Sequence, residues 1–149
     1  MNRRGWTLLE LFIVLVILGV LANIATPAYH DMRKRAEAAQ VIGDFSAVRS
    51  AAFQQYPESE SCPGTGAAGV VPPELVPYLP NGFAFTRGSA TYRWRKWSVP
   101  GGLPGDPSQT ELMGLEIQTA DAELLAAIKG LYGGSTAFGS STQITLVIE

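Results

Sequence analysis

Between Trp6 and Ala28 only Thr7, Glu10, Asn23 and Thr26 are polar, and no other feature limits the possible fold as severely. The run is about 23 residues long, close to the ~20 that a helix needs to cross a hydrocarbon core of about 30 Å. Arg3 and Arg4 lie on a very short tail before it, which predicts a cytoplasmic N-terminus with the bulk of the chain on the far side. Arg33, Lys34 and Arg35 follow the span and weaken that asymmetry, so orientation rests on the short tail. A secretory signal peptide would look similar at first sight. This run is longer than its usual apolar region, lacks a small-residue cleavage site after Leu21, and is interrupted by Glu10.

Glu10 needs an explanation, because an ionised carboxylate in a membrane span is costly and marks function by default. The N-terminal end of the helix dipole favours it only weakly. A cation must therefore approach, or the carboxylate must hydrate among the headgroups. Arg3 or Arg4 can reach back to it within the intact chain. A cut after Gly5 would create an α-ammonium on Trp6, largely charged at neutral pH. Supplied by a neighbouring copy, that ammonium would reward head-to-tail stacking, a heterologous contact that can grow into an open filament.

The stretch Arg4-Gly5-Trp6-Thr7-Leu8-Leu9-Glu10, followed by the apolar helix, resembles the processing signal of the type IV pilin family, including the pseudopilins of type II secretion. The resemblance covers the leader and the helix. It implies cleavage between Gly5 and Trp6 by a prepilin peptidase, N-methylation of Trp6, and neutralisation of that amine by Glu10 of an adjacent subunit. Gly19 and Pro27 fall where such pilins carry helix-loosening residues. Trp6 departs from the phenylalanine usual at the first position. The implied partners are copies of the chain or other pilins, the peptidase, an assembly platform in the bacterial inner membrane, and lipid before assembly. The implied location is a single-pass inner-membrane precursor and then a periplasmic or extracellular filament. No cofactor is implied.

The expected fold class is α+β and pilin-like: a long N-terminal helix packed on a small antiparallel sheet, with one short further helix. Residues 1–5 would be the leader, 6–28 the membrane and assembly half of the helix, 29–56 its amphipathic outer half, and 57–149 a β-rich head. In the outer half Val41, Phe45, Val48, Ala52 and Tyr56 recur every three or four residues, widened by Ile42 and Phe53. Arg35, Gln40, Asp44, Arg49 and Gln54 are assigned to the opposite, solvated side. Pro57 should stop the helix. Residues 57–82 read as a proline- and glycine-rich connection with a helical turn near Pro73–Tyr78.

Strands are expected at Phe83–Thr86, Ala90–Val99, Glu111–Thr119 and Gln143–Ile148. In the third, Met113, Leu115 and Ile117 should face the core. Asp121 should cap a helix over Ala122–Tyr132 with Leu124, Leu125, Ile128 and Leu131 inward.

The rest of the chain offers little chemistry. Tyr92-Arg93-Trp94-Arg95-Lys96-Trp97 interleaves cations and aromatics, a pattern suited either to stacking on single-stranded nucleic acid or to a strand whose cationic stems lie over buried rings. Arg93, Arg95 and Lys96 are its candidate recognition residues. The net charge of -2 disfavours the nucleic-acid reading. His30 reads as a solvated interfacial residue and Cys62 as a thiol in a Pro/Gly loop. One cysteine and one histidine make a zinc cage unlikely. Asp106 and Glu111 are too sparse for a calcium loop. With no nucleophile elbow or phosphate-cradling loop, the chain reads as a non-enzyme. The alternative to a filament subunit is a membrane-tethered extracytoplasmic binding domain that never polymerises, with the aromatic-basic strand as its recognition face.

Overall fold

A computed structural model describes residues 7–59, 62–102, 110–132 and 137–148. It divides into two units, Met1–Lys34 and Arg35–Glu149. Helix α1 runs from Leu8 to Ser59. It continues two residues beyond Pro57, because a proline in the final turn forfeits one backbone bond without displacing the residues after it. In the first unit α1 is exposed throughout Leu8–His30.

The second unit builds its core on the outer part of α1. Ala38, Val41, Phe45, Val48, Ala51 and Ala52 are buried at the expected three- and four-residue spacing. The stripe is centred further toward Asp44 and Gln55 than the sequence reading places it; both polar side chains are buried. Tyr56, expected within the stripe, and Phe53, expected to widen it, are instead exposed. Phe53 lies well round the helix from the stripe's centre and carries the Arg49 guanidinium at 5.5 Å from its ring.

Among the described residues, the unit has five antiparallel strands: β1 (Thr86–Arg87), β2 (Ala90–Ser98), β3 (Glu111–Thr119), β4 (Ala137–Gly139) and β5 (Gln143–Ile148). Their order is β1-β2-β3-β5-β4. In register, Tyr92 stands opposite Ile117 and Ile117 opposite Ile144; Trp94, Leu115 and Leu146 form the next row. All six are buried in the cluster that includes the α1 stripe. Met113 packs half-buried at its margin.

The expected strand at Phe83–Thr86 is displaced to Thr86–Arg87. Phe83 is held in a turn by donating its N–H to the Pro80 carbonyl (3.0 Å), and Phe85 contributes only its carbonyl, which accepts from the Tyr92 N–H at 2.8 Å. Strand β4 has no forecast in the sequence; three residues bordered by Gly and Ser carry too little alternation to be seen.

Residues 62–72 seal the outer edge of β2 beyond β1. Gly69 and Gly66 donate N–H groups to the carbonyls of Tyr92 (2.7 Å) and Trp94 (3.1 Å). The Thr65 hydroxyl bonds both the carbonyl and the N–H of Lys96. The Trp94 indole donates to the Pro63 carbonyl at 2.9 Å, which satisfies the one polar atom of a fully buried ring. The proline-glycine connection thus removes an open strand edge.

Helix α2 (Ala122–Tyr132) is capped as expected: Asp121 Oδ1 accepts from the N–H groups of Glu123 (3.1 Å) and Leu124 (3.0 Å). Leu124, Leu125 and Ile128 are buried, but Leu131 is exposed. Tyr132 packs inward in its place, edge-on to Phe45 at 5.5 Å.

Candidate functional site

The start of α1 has a defined geometry. The Thr7 N–H and hydroxyl both donate to Oε2 of Glu10, at 2.9 and 3.0 Å. The Glu10 N–H in turn donates to Thr7 Oγ1 at 3.2 Å. This is a capping box, in which residues three apart satisfy each other's backbone donors at a helix start. The Thr-x-x-Glu spacing carries that signal in the sequence, and reading Glu10 only as a charge in want of a cation overlooks it. Among the described residues, the bonds to the carboxylate fall on Oε2.

From this cap the apolar surface continues through Phe12, Ile13, Leu15, Ile17, Leu18 and Leu21, each about half exposed or more. Gly19 has open space around it and Pro27 lies within continuous helix. The Thr26 hydroxyl donates back to the Ala22 carbonyl at 2.7 Å, one residue before the Asn23 carbonyl that Pro27 cannot reach with an N–H. Gly5 and Trp6, the expected cleavage pair, lie outside the described residues, as does Asp106.

The second cluster is one the sequence reading misses. Asp44, assigned above to the solvated side of α1, is buried and grips the β1–β2 hairpin. Arg87 donates Nε to its Oδ2 (2.8 Å) and Nη2 to its Oδ1 (2.7 Å), and the Tyr92 hydroxyl donates to Oδ2 at 2.9 Å. Burial pushes the Tyr92 phenol well above its usual range, and its hydrogen bond to Asp44 adds to the shift. The same carboxylate raises the Arg87 guanidinium further, chiefly through the hydrogen bonds. The signal was available: Asp44 lies three residues after Val41, on the stripe that buries Val41 and Phe45. At the hairpin turn, Gly88 has φ +55, and a Cβ there would come within 2.9 Å of Glu37 Oε1.

The cations of β2 do not form one surface. Strand alternation places Arg93 and Arg95 on one face of the sheet and Lys96 on the other. Arg95 Nε lies 2.8 Å from Glu116 Oε2, Arg93 Nη1 is 3.9 Å from Oε1, and Gln118 donates to Oε1. Glu116, expected on an open face, is therefore covered by its own neighbours and almost fully buried. Lys96 pairs with Glu111 at 2.7 Å. Cys62 is buried, and that burial pushes its thiol up. His30 is exposed.

Curated proteins similar to this chain are pilus proteins. It is 38% identical over 71 residues to a type IV major pilin of Neisseria gonorrhoeae, covering 48% of this chain and 33% of that protein. It is 39% identical over 69 residues to a fimbrial protein of Neisseria meningitidis serogroup B, covering 46% and 41%. A type IV major alpha-pilin of Moraxella bovis is 43% identical over 49 residues, covering 33% and 31%. Over these 49 to 71 residues the chain is similar to type IV pilins and fimbrial proteins. It spans less than half the length of these relatives. No family model and no solved structure matches it. Among the described residues, the long apolar helix, the small antiparallel sheet and one further α-helix agree with the pilin fold.

Proposed function

We propose that the chain is a structural, non-enzymatic subunit of a type IV pilus or a related secretion pseudopilus, inserted in the inner membrane as a precursor and polymerised through α1. The observation that carries this reading is an apolar helix start left wholly exposed, with one carboxylate, Glu10, set in its first turn. Lipid can cover the apolar surface, and so can copies of the same helix. The second also brings the α-ammonium of a processed neighbour to the carboxylate.

In this reading prepilin peptidase cuts between Gly5 and Trp6 and the new amine of Trp6 is methylated. The capping box survives the cut, because Thr7 stays bonded to Trp6 and keeps its amide N–H. The cap holds Glu10 in one rotamer on the helix, where the Trp6 ammonium of a neighbouring subunit meets it. Gly19 and Pro27 lower the cost of local helix loosening as subunits pack. The ion pairs of Arg93, Arg95 and Lys96 with Glu116 and Glu111 support the sheet rather than a nucleic-acid surface.

Mass and N-terminal sequencing of the chain, made with and without an active prepilin peptidase, test the processing step. A product beginning at Trp6 only when the peptidase is present is expected. A chain still beginning at Met1 beside active peptidase contradicts it.

A further inference from the structure

Arg33 and Lys34 are oddly placed for a single span that leaves its N-terminus in the cytoplasm. Cations beside a span favour the cytoplasmic side, and these two, with Arg35 following in sequence, lie on the translocated side. Their position along the helix suggests what they do there. Thr7 to Ala28 rises about 33 Å at ~1.5 Å per residue, a hydrocarbon thickness. Tyr29 comes next and is 71% exposed, an amphipathic ring at the depth where aromatic belts form. Arg33 and Lys34 lie about 7–9 Å further along, at the level of lipid phosphates, and long cationic side chains can bend back toward that layer. Asp31 lies three residues before Lys34 and Glu37 four residues after Arg33, so each of the two cations has a carboxylate at helical spacing. With Arg35, the three cations against two carboxylates leave this segment a surplus of one positive charge, and Arg33 is exposed.

We propose that Arg33 and Lys34 form a binding site for the phosphates of anionic lipid in the outward leaflet, fixing the depth of α1 and holding the subunit in the membrane before assembly. The proposal rests on the orientation given above. On loss of Arg3 and Arg4 by processing, this site becomes the principal cationic anchor of the span.

The test uses the full chain in nanodiscs of phosphatidylcholine mixed with phosphatidylglycerol, with the lipid retained around the protein counted by native mass spectrometry. Phosphatidylglycerol should be enriched around the unaltered chain. The R33Q/K34Q variant should lose that enrichment by about five-fold or more, the value of one cation near the surface. Asp31→Asn should increase it, a gain that a purely structural role would not produce. Enrichment unchanged in R33Q/K34Q overturns the proposal. So does stripping of the lipid by inorganic phosphate beyond the effect of chloride at equal ionic strength, which would assign the site to free phosphate. Peptidase cleavage scored on the same preparations reads the other hypothesis separately. Retained enrichment without cleavage upholds the lipid site while removing the pilin processing step.

Discussion

Two carboxylates on α1 illustrate how much one residue can fix. Glu10 is exposed and held by Thr7; Asp44 is buried and held by Arg87 and Tyr92. Asp44→Ala would leave the Tyr92 hydroxyl buried without its acceptor and Arg87 without its partner. Arg87 is half exposed and can rehydrate, so the expected loss is about 2–3 kcal/mol, read as a lowered unfolding midpoint in detergent. Tyr92→Phe should cost less, because it removes the donor and leaves the Asp44–Arg87 pair intact. Tyr92 also sets a pH dependence. Its phenol is harder to ionise in the folded chain than in the unfolded one, so it supports the fold only while neutral. That contribution is whole below about pH 10 and is lost as pH rises further. Unfolding midpoints followed into the alkaline range should fall more steeply for the unaltered chain than for Tyr92→Phe. Equal slopes would remove Tyr92 from this role.

At the scale of elements, the strongly periodic segments are legible and the short ones are not. Helix α2, its Asp121 cap and the two long strands follow from alternation and spacing. Strand β4 and the two-residue β1 do not, because their pairing is decided by β5 and β2 rather than by their own residues. The outward face of β3 is also misread, since Glu116 gains its cover from cross-strand neighbours that a single-strand pattern cannot show. Gly114 shows a further tertiary constraint. A Cβ there would lie 2.8 Å from the Leu146 carbonyl oxygen and 3.0 Å from the Trp97 ring. Gly114→Ala should therefore force β3 away from β5 or displace Trp97, at about 1–3 kcal/mol, measurable by thermal unfolding. An unchanged midpoint would mean the strands shift apart freely.

For the whole molecule, the likeness to type IV pilins is legible because its signal is local and chemical: a glycine, a threonine, a glutamate and a long apolar run within a few turns. The head was legible only as a class of fold, since its loops and polar clasps depend on contacts between residues far apart in sequence. Buried Cys62 offers a check on the head's integrity in any assembled form. Its raised thiol and low exposure predict slow labelling by thiol reagents at neutral pH, with fast labelling after denaturation. Fast labelling of native chain would contradict the packing around Pro63 and Trp94.

In the proposed function Glu10 serves assembly rather than insertion. Its direct measurement compares Glu10→Gln with the unaltered chain, each co-expressed with prepilin peptidase, in the membrane fraction and in filaments sheared from the cells. Glutamine keeps a side-chain acceptor for Thr7 and removes the charge. The variant should reach the membrane and be cleaved at Gly5 yet be strongly depleted from the sheared filaments. Incorporation equal to that of the unaltered chain would contradict the claim.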